Sequence, residues 1–187
     1  FVREFLTEWV SRPGRAPATD ALYGNAIRVH LTPGLGQIRL DQLSPVQVDT
    51  FFQQSTAGGR TKQVCYNVLK LAIDHAVRMG IISANPLDRV ERPKAKRKEI
   101  HPFSADEAKR IMKAAEDTHY HAAVVVGFLC GLRQGELFGL KWRSVDFKKG
   151  LLHITEQMVD ISGHLSMQLP KTDTGCRSIV LPQAALA

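Results

Sequence analysis

The chain has 187 residues, 44% of them hydrophobic and 23% charged, and 25 Lys and Arg against 18 Asp and Glu leave a formal charge of +7. The longest apolar run, 122–132, falls well short of the ~20 residues that a membrane-spanning helix needs, and no N-terminal signal pattern is present. Cys65, Cys130 and Cys176 stand far apart without a C-x-x-C pair, which argues against a disulfide framework or a zinc finger and for a reducing, cytoplasmic setting.

The first half reads as helices with clear punctuation. Phe1, Phe5, Leu6, Trp9 and Val10 form an apolar stripe at helical spacing that Pro13-Gly14 ends. A second helix is predicted from about Thr19 through Leu22, Ala26, Ile27 and Val29, stopping before Pro33-Gly34. Ser44-Pro45 is an N-cap followed by a first-turn proline and leads into Val48, Phe51 and Phe52. After Gly58-Gly59 the longest helix is predicted from about Thr61 to Met79, with Val64, Val68, Leu71, Ala72 and His75 near one face and Gly80 as its stop. Four helices on short loops make a small bundle, with Trp9, Phe51 and Phe52 in its core.

Residues 94–101 lie between Pro93 and Pro102 and lack apolar periodicity. They carry a net +3 in eight residues, whereas 1–93 carry +3 and 102–187 only +1. This segment reads as a basic linker, either a solvated tether or a strap that follows DNA phosphates. The second half opens on a capping box, Ser104 with Glu107, ahead of Ala108, Ile111, Met112 and Ala115. Another helix crosses 122–130, Gly131 breaks it, and a new one begins near Leu132 with Leu137 and Leu140 facing inward. Beyond Trp142 the period drops to two: a strand at 151–156, a turn at 162–164, a second strand at 165–169 and a third at 177–181, forming one small antiparallel sheet. The expected class is mainly α with a small antiparallel β-sheet.

Chemistry concentrates in Gly131-Leu132-Arg133-Gln134-Gly135-Glu136-Leu137. Arg133 stands at a helix start, where its guanidinium and free backbone N–H groups both suit an anion, and Glu136 one turn on can orient it. Taken alone, the pair also reads as an ordinary surface ion pair at i,i+3.

The stretch from Gly131 to Trp142 resembles the first arginine box of the tyrosine recombinases, the phage integrase family, usually T-G-L-R-x-G-E-L-x-x-L-x-W-x-D-I-D. Cys130 in place of the leading Thr, and Arg143-Ser144-Val145-Asp146 at the end, are mild departures. Residues 170–182, with Lys171, Thr172, Arg177, Ile179 and Pro182, are similar to the family's P-K-T-x-x-S-x-R-x-I-P-L-P hairpin. Residues 30–36, 43–48 and 76–86 resemble its helical core-binding domain. The resemblance implies a four-helix SAM-like core-binding bundle at 1–93, the linker at 94–101, and the α+β start of a catalytic domain at 102–187.

It further implies site-specific recombination of double-stranded DNA, for integration or excision, through a 3′-phosphotyrosine, with no metal or other cofactor and with a tetramer on DNA when full-length. Arg133 is then the expected phosphate clamp, Glu136 its support, and Lys171 the proton donor to the leaving 5′-oxygen, although by itself Lys171 reads as an exposed turn lysine. Expected DNA contacts are Arg60, Thr61 and Lys62 at the start of the long helix, Arg92, Lys94, Lys96, Arg97 and Lys98 along the linker, and Lys141 and Arg143 after the box. His101, His119 and His121 show no metal-site pattern. The family's second box, H-x-x-R, and its tyrosine are expected beyond the hairpin, yet Tyr23, Tyr66 and Tyr120 all precede Arg133. The expectation is therefore a truncated chain without its nucleophile, preceded by further sequence because it starts in a helical pattern without Met. The alternative is a catalytically inactive DNA-binding fragment or prophage remnant; a type IB topoisomerase is disfavoured by the core-binding matches.

Overall fold

The computed structural model describes residues 1–96, 99–161, 163–170 and 175–185, which form two compact units, Phe1–Glu99 and Ile100–Ala187. Among the described residues no helix is long and apolar enough to cross a membrane.

In the first unit, α1 (Val2–Val10) buries Val2, Leu6 and Trp9, while Phe1, expected in the stripe, is exposed at the chain terminus. Helix α2 starts at Pro17, two residues before the expected Thr19, and runs to Asn25 (Pro17–Asn25). It does not stop before Pro33. The chain passes through a π-helical turn, Ala26–Leu31, closed by Thr32 N–H on Ile27 O, and continues as α3 (Thr32–Leu35). Pro33 fits there because the first turn of a helix needs no N–H from it. The wider turn buries Ala26, Ile27 and Leu31 and leaves Leu22 and Val29 outside.

Helix α4 (Pro45–Gln54) begins with a capping box in which Ser44 Oγ accepts from Gln47 N–H and Gln47 Oε1 accepts from Ser44 N–H at 2.9 Å. Helix α5 (Gly59–Arg78) is the spine of the unit. It buries Cys65, Tyr66, Val68, Leu69, Ala72, Ile73 and Ala76, whereas Leu71 from the expected face is exposed. The buried stripe is centred on Cys65, Leu69, Ala72 and Ala76, to one side of Leu71. On its far side the Tyr66 hydroxyl lies 3.2 Å from the carbonyls of both Leu87 and Val90. Gln63 donates to Pro93 O at 3.1 Å, so the chain is still tied to α5 as it reaches residue 94.

In the second unit, the Ser104–Glu107 capping box opens α6 (Ala105–Ala114) as expected. Helix α7 (His121–Cys130) ends at Gly131, whose φ of +60° is the left-handed conformation that glycine adopts without strain. Then α8 (Gln134–Gly139) leads into strand β1 (Val145–Asp146). Strands β2 (Leu151–Ile154), β3 (Gln157–Ile161), β4 (His164–Gln168) and β5 (Arg177–Val180) follow.

The expected single sheet is two. One is antiparallel in the order β1-β2-β5, with Leu152 opposite Ile179 and Ile154 opposite Arg177. The other is the β3–β4 hairpin, with Met158 opposite Met167. The strand expected at 165–169 thus pairs with β3, a strand the sequence does not announce because Gln157 to Ile161 does not alternate apolar with polar residues. Leu152, Ile154 and Leu181 form the buried centre, with Val126, Cys130, Leu132 and Leu140 packed around them.

Helix α8 lies directly on β3 because two of its residues have no side chain. A methyl group at Gly139 would stand 2.8 Å from Met158 N and 2.9 Å from Gln157 Cα, and one at Gly135 would stand 2.7 Å from Met158 O. These obstacles are backbone and cannot rotate away. Gly139→Ala is expected to destabilise the second unit by about 1–3 kcal/mol, read as an earlier midpoint in chemical denaturation; an unchanged midpoint contradicts the close approach.

Candidate active site

Gly131 reverses the chain after α7, and Arg133 follows as the N-cap of α8 in extended conformation (φ −68°, ψ 151°). The cap position points its side chain away from the packed face, and 74% of that side chain is exposed. Glu136, in the first turn of α8, faces inward and is only 3% exposed.

A carboxylate buried to that degree persists as an anion only if its oxygens are filled. They are. Arg133 Nη1 donates to Oε1 at 2.8 Å, and Arg133 backbone N–H donates to Oε2 at 2.9 Å. Arg177, at the start of β5, donates Nη1 to Oε1 and Nη2 to Oε2, both at 2.8 Å. The two-pronged contact with Arg177, reinforced by the two donors of Arg133, outweighs desolvation and holds the Glu136 carboxyl down at about 2. Glu136, expected as the support of Arg133, accepts from both its side chain and its backbone N–H. Of the backbone N–H groups expected to be free for an anion at this helix start, that of Arg133 is taken by Glu136.

Arg177 is the site residue that sequence reasoning did not assign. It stands 41 residues from Glu136, so helical spacing carries no signal of the contact. Its position in the 170–182 motif was the one available hint.

The other expected cations are placed less uniformly. Lys141 and Arg143 converge on Glu156, Lys141 in direct contact and Arg143 at 3.5 Å, with Arg143 the more exposed of the two. Lys62 is turned to the end of α4, where its Nζ donates to Phe52 O at 2.9 Å; the carbonyls of a helix C-terminus attract a cation. Arg60 and Thr61 lie in the first turn of α5, Arg60 exposed and Thr61 half-buried. There the Lys94 carbonyl and Ala95 Cα would stand 2.9 and 3.0 Å from a methyl group on Gly59. The start of the basic segment is therefore packed against the start of α5. Arg92, Lys94 and Lys96 are exposed, and Lys94 pairs with Glu91 at 2.8 Å. Arg97, Lys98 and Lys171 lie outside the described residues.

None of the three tyrosines stands beside this site in its own unit. Tyr66 is buried, and Tyr23 stacks on Trp9 with ring centroids 5.9 Å apart. Tyr120 caps the start of the 10-residue helix α7, roughly 15 Å from the end that Arg133 follows.

The site is thus a buried carboxylate held by two arginines, on a capped helix beside a small antiparallel sheet. Residues 101–172 match the Phage integrase family. The chain is 28% identical over 196 residues to a "Tyrosine recombinase XerC-like" protein of Caldanaerobacter subterraneus subsp. tengcongensis, covering 95% of this chain and 50% of that protein. Its fold is that of the Tn1549 transposon integrase solved in complex with a circular intermediate DNA, at a TM-score of 0.85 and 17% identity, covering 99% of this chain and 62% of that one. It also matches the lambda integrase tetramer bound to a Holliday junction, at a TM-score of 0.68 and 20% identity, covering 89% and 46%. The family match over residues 101–172 and the similarity of most of the chain to integrases and tyrosine recombinases support the tyrosine recombinase (phage integrase) family. It spans half or less of the length of the curated relatives it matches first.

Because the folded-state value for Glu136 lies below the ordinary 4.5, ionised Glu136 stabilises the second unit fully above that value, and the contribution is lost as the pH falls toward about 2. Glu136→Gln is expected to remove this part of the acid dependence, measured as the slope of stability against pH between 4.5 and 2. An unaltered slope would show that the carboxylate is not held as described.

Proposed function

We propose that the chain is the DNA-gripping and phosphate-clamping part of a site-specific recombinase that cuts and rejoins DNA through a 3′-phosphotyrosine, integrating or excising a DNA segment. Residues 1–93 are the core-binding domain, 94–101 the strap, and 102–187 the start of the catalytic domain. The observation that carries this reading is the exposed Arg133 guanidinium, anchored at its base to a buried carboxylate inside the segment that matches the family.

Attack on a DNA phosphate gathers negative charge on the non-bridging oxygens, and a guanidinium fixed before the reaction stabilises it without reorganisation. Within the described residues the Arg133 side chain uses only Nη1 on Glu136, so Nε and Nη2 remain for phosphate oxygens. Lys171 supplies the proton to the departing 5′-oxygen. Arg60, Thr61, Arg92, Lys94 and Lys96, with Arg97 and Lys98, hold the DNA backbone, and Arg143 and Lys141 extend that grip after helix α8. Lys62 contributes less than its charge suggests, because its ammonium already serves the α4 carbonyl. No step requires a metal or other cofactor. The working assembly is a tetramer on DNA, by analogy with the lambda integrase tetramer on a Holliday junction.

Tyr23, Tyr66 and Tyr120 are not the nucleophile, so this chain alone binds DNA without cutting it. It is expected to bind duplex DNA with an affinity that falls steeply with salt, measured by fluorescence anisotropy, and to leave no covalent adduct on a nicked suicide substrate. A salt-independent affinity contradicts the grip, and an adduct contradicts the assignment of the tyrosines. In a form of the protein that carries the nucleophile, Arg133→Ala should slow cleavage by about 10²–10³-fold or more with site binding largely kept; full cleavage by that variant would overturn the clamp.

A further inference from the structure

We propose that Arg177 is a positioning residue for Arg133, acting through Glu136, and that it keeps the clamp cationic. The inference rests on the reading of Arg133 as the phosphate clamp, and it names what holds that clamp in place.

Arg133 and Glu136 alone would be a weak device. The carboxylate would keep only the two Arg133 donors, one of them at the end of an exposed, long side chain, and a one-to-one pair is electrically neutral, which blunts its attraction for phosphate. Arg177 removes both defects. Its parallel contacts to Oε1 and Oε2 at 2.8 Å fix the plane of the carboxylate, as a guanidinium fork does and an ammonium cannot. Each carboxylate oxygen then holds one donor from Arg177 and one from Arg133, so no lone pair is left to draw the group toward water.

The charge follows the same division. Two guanidinium groups around one carboxylate leave a net +1. Arg177 is 31% exposed and Arg133 74%, so the uncancelled charge is presented on the Arg133 side.

The anchor is rigid for reasons that lie in the sheet. Arg177 pairs in register with Ile154, itself 2% exposed at the centre of the unit's core. The strand that carries Arg177 follows the motif containing Lys171, six residues earlier in the sequence. The orientation of Arg133 is thereby referred to the strand that follows the expected proton donor in sequence.

A mere staple between β5 and α8 would change stability and nothing else. The test therefore reads Arg133 directly, by NMR exchange of its guanidinium N–H protons with water in the 187-residue chain. In Arg177→Met this exchange is expected to accelerate on the order of tenfold or more, the loss of a charged hydrogen-bond network, while the amide spectrum of residues 1–93 stays unchanged. Arg177→Lys, which keeps the charge without the fork, should fall between the two. Unchanged Arg133 exchange in a folded Arg177→Met protein overturns the proposal. If Arg177→Met does not fold, Arg177→Lys decides: faster Arg133 exchange supports the brace, and wild-type exchange overturns it. Because the readout is the arginine itself, its outcome is independent of whether Arg133→Ala affects cleavage, and the two readings can fail separately.

Discussion

The second unit is organised around one costly act, the burial of the Glu136 carboxylate. A charge taken out of water must be repaid in donors, and four converge on it: two from Arg177, one from the Arg133 side chain and one from the Arg133 backbone. Removing any one leaves a buried acceptor short. The positions of α8 and β5 follow from this requirement as much as from apolar packing, since the buried apolar centre around Leu152, Ile154 and Leu181 is small. Gly135 and Gly139 serve the same end, letting α8 settle on the β3 backbone while the carboxylate is held from the other strand system.

Much of the fold was legible because its signals are local. The two capping boxes, the proline at the start of α4, the αL glycine after α7 and the alternation in β2 are each written within a few residues. The departures occur where neighbours decide. The π-turn at Ala26–Leu31 carries helix past Pro33 because tertiary packing buries Ile27 and Leu31. On α5 the buried stripe follows Cys65, Leu69, Ala72 and Ala76 and not the more hydrophobic Leu71, because the neighbouring helices set which face is covered. The division into two sheets was not legible, because β3 lacks alternation and strand pairing is a non-local choice.

The site shows the same boundary. Arg133 and Glu136 are one helical turn apart, so their pairing could be read from spacing. Arg177 reaches them across 41 residues, and only the folded chain brings it there. Lys62, Lys141 and Arg143 looked alike as basic residues beside helix ends, yet in the structure Lys62 serves a carbonyl and the other two share Glu156. A list of cations by charge alone overstates the number left without a partner among the described residues. The packing of Lys94 and Ala95 on Gly59 adds what charge could not reveal: the first residues of the basic segment and the first turn of α5 form one surface within their own unit.

The length of Glu136 has a consequence of its own. Its carboxylate bridges a helix start and a strand start, each held by its own backbone contacts, so its reach acts as a gauge of the gap between them. An aspartate would keep the charge but draw the carboxylate back toward α8, and it could not satisfy the β5 guanidinium and the α8 cap together. A glutamine would keep the reach but replace one acceptor oxygen with a donor facing two cations. Either change leaves part of the four-donor arrangement unmet, and the narrowness of the choice comes from distance and charge acting at once.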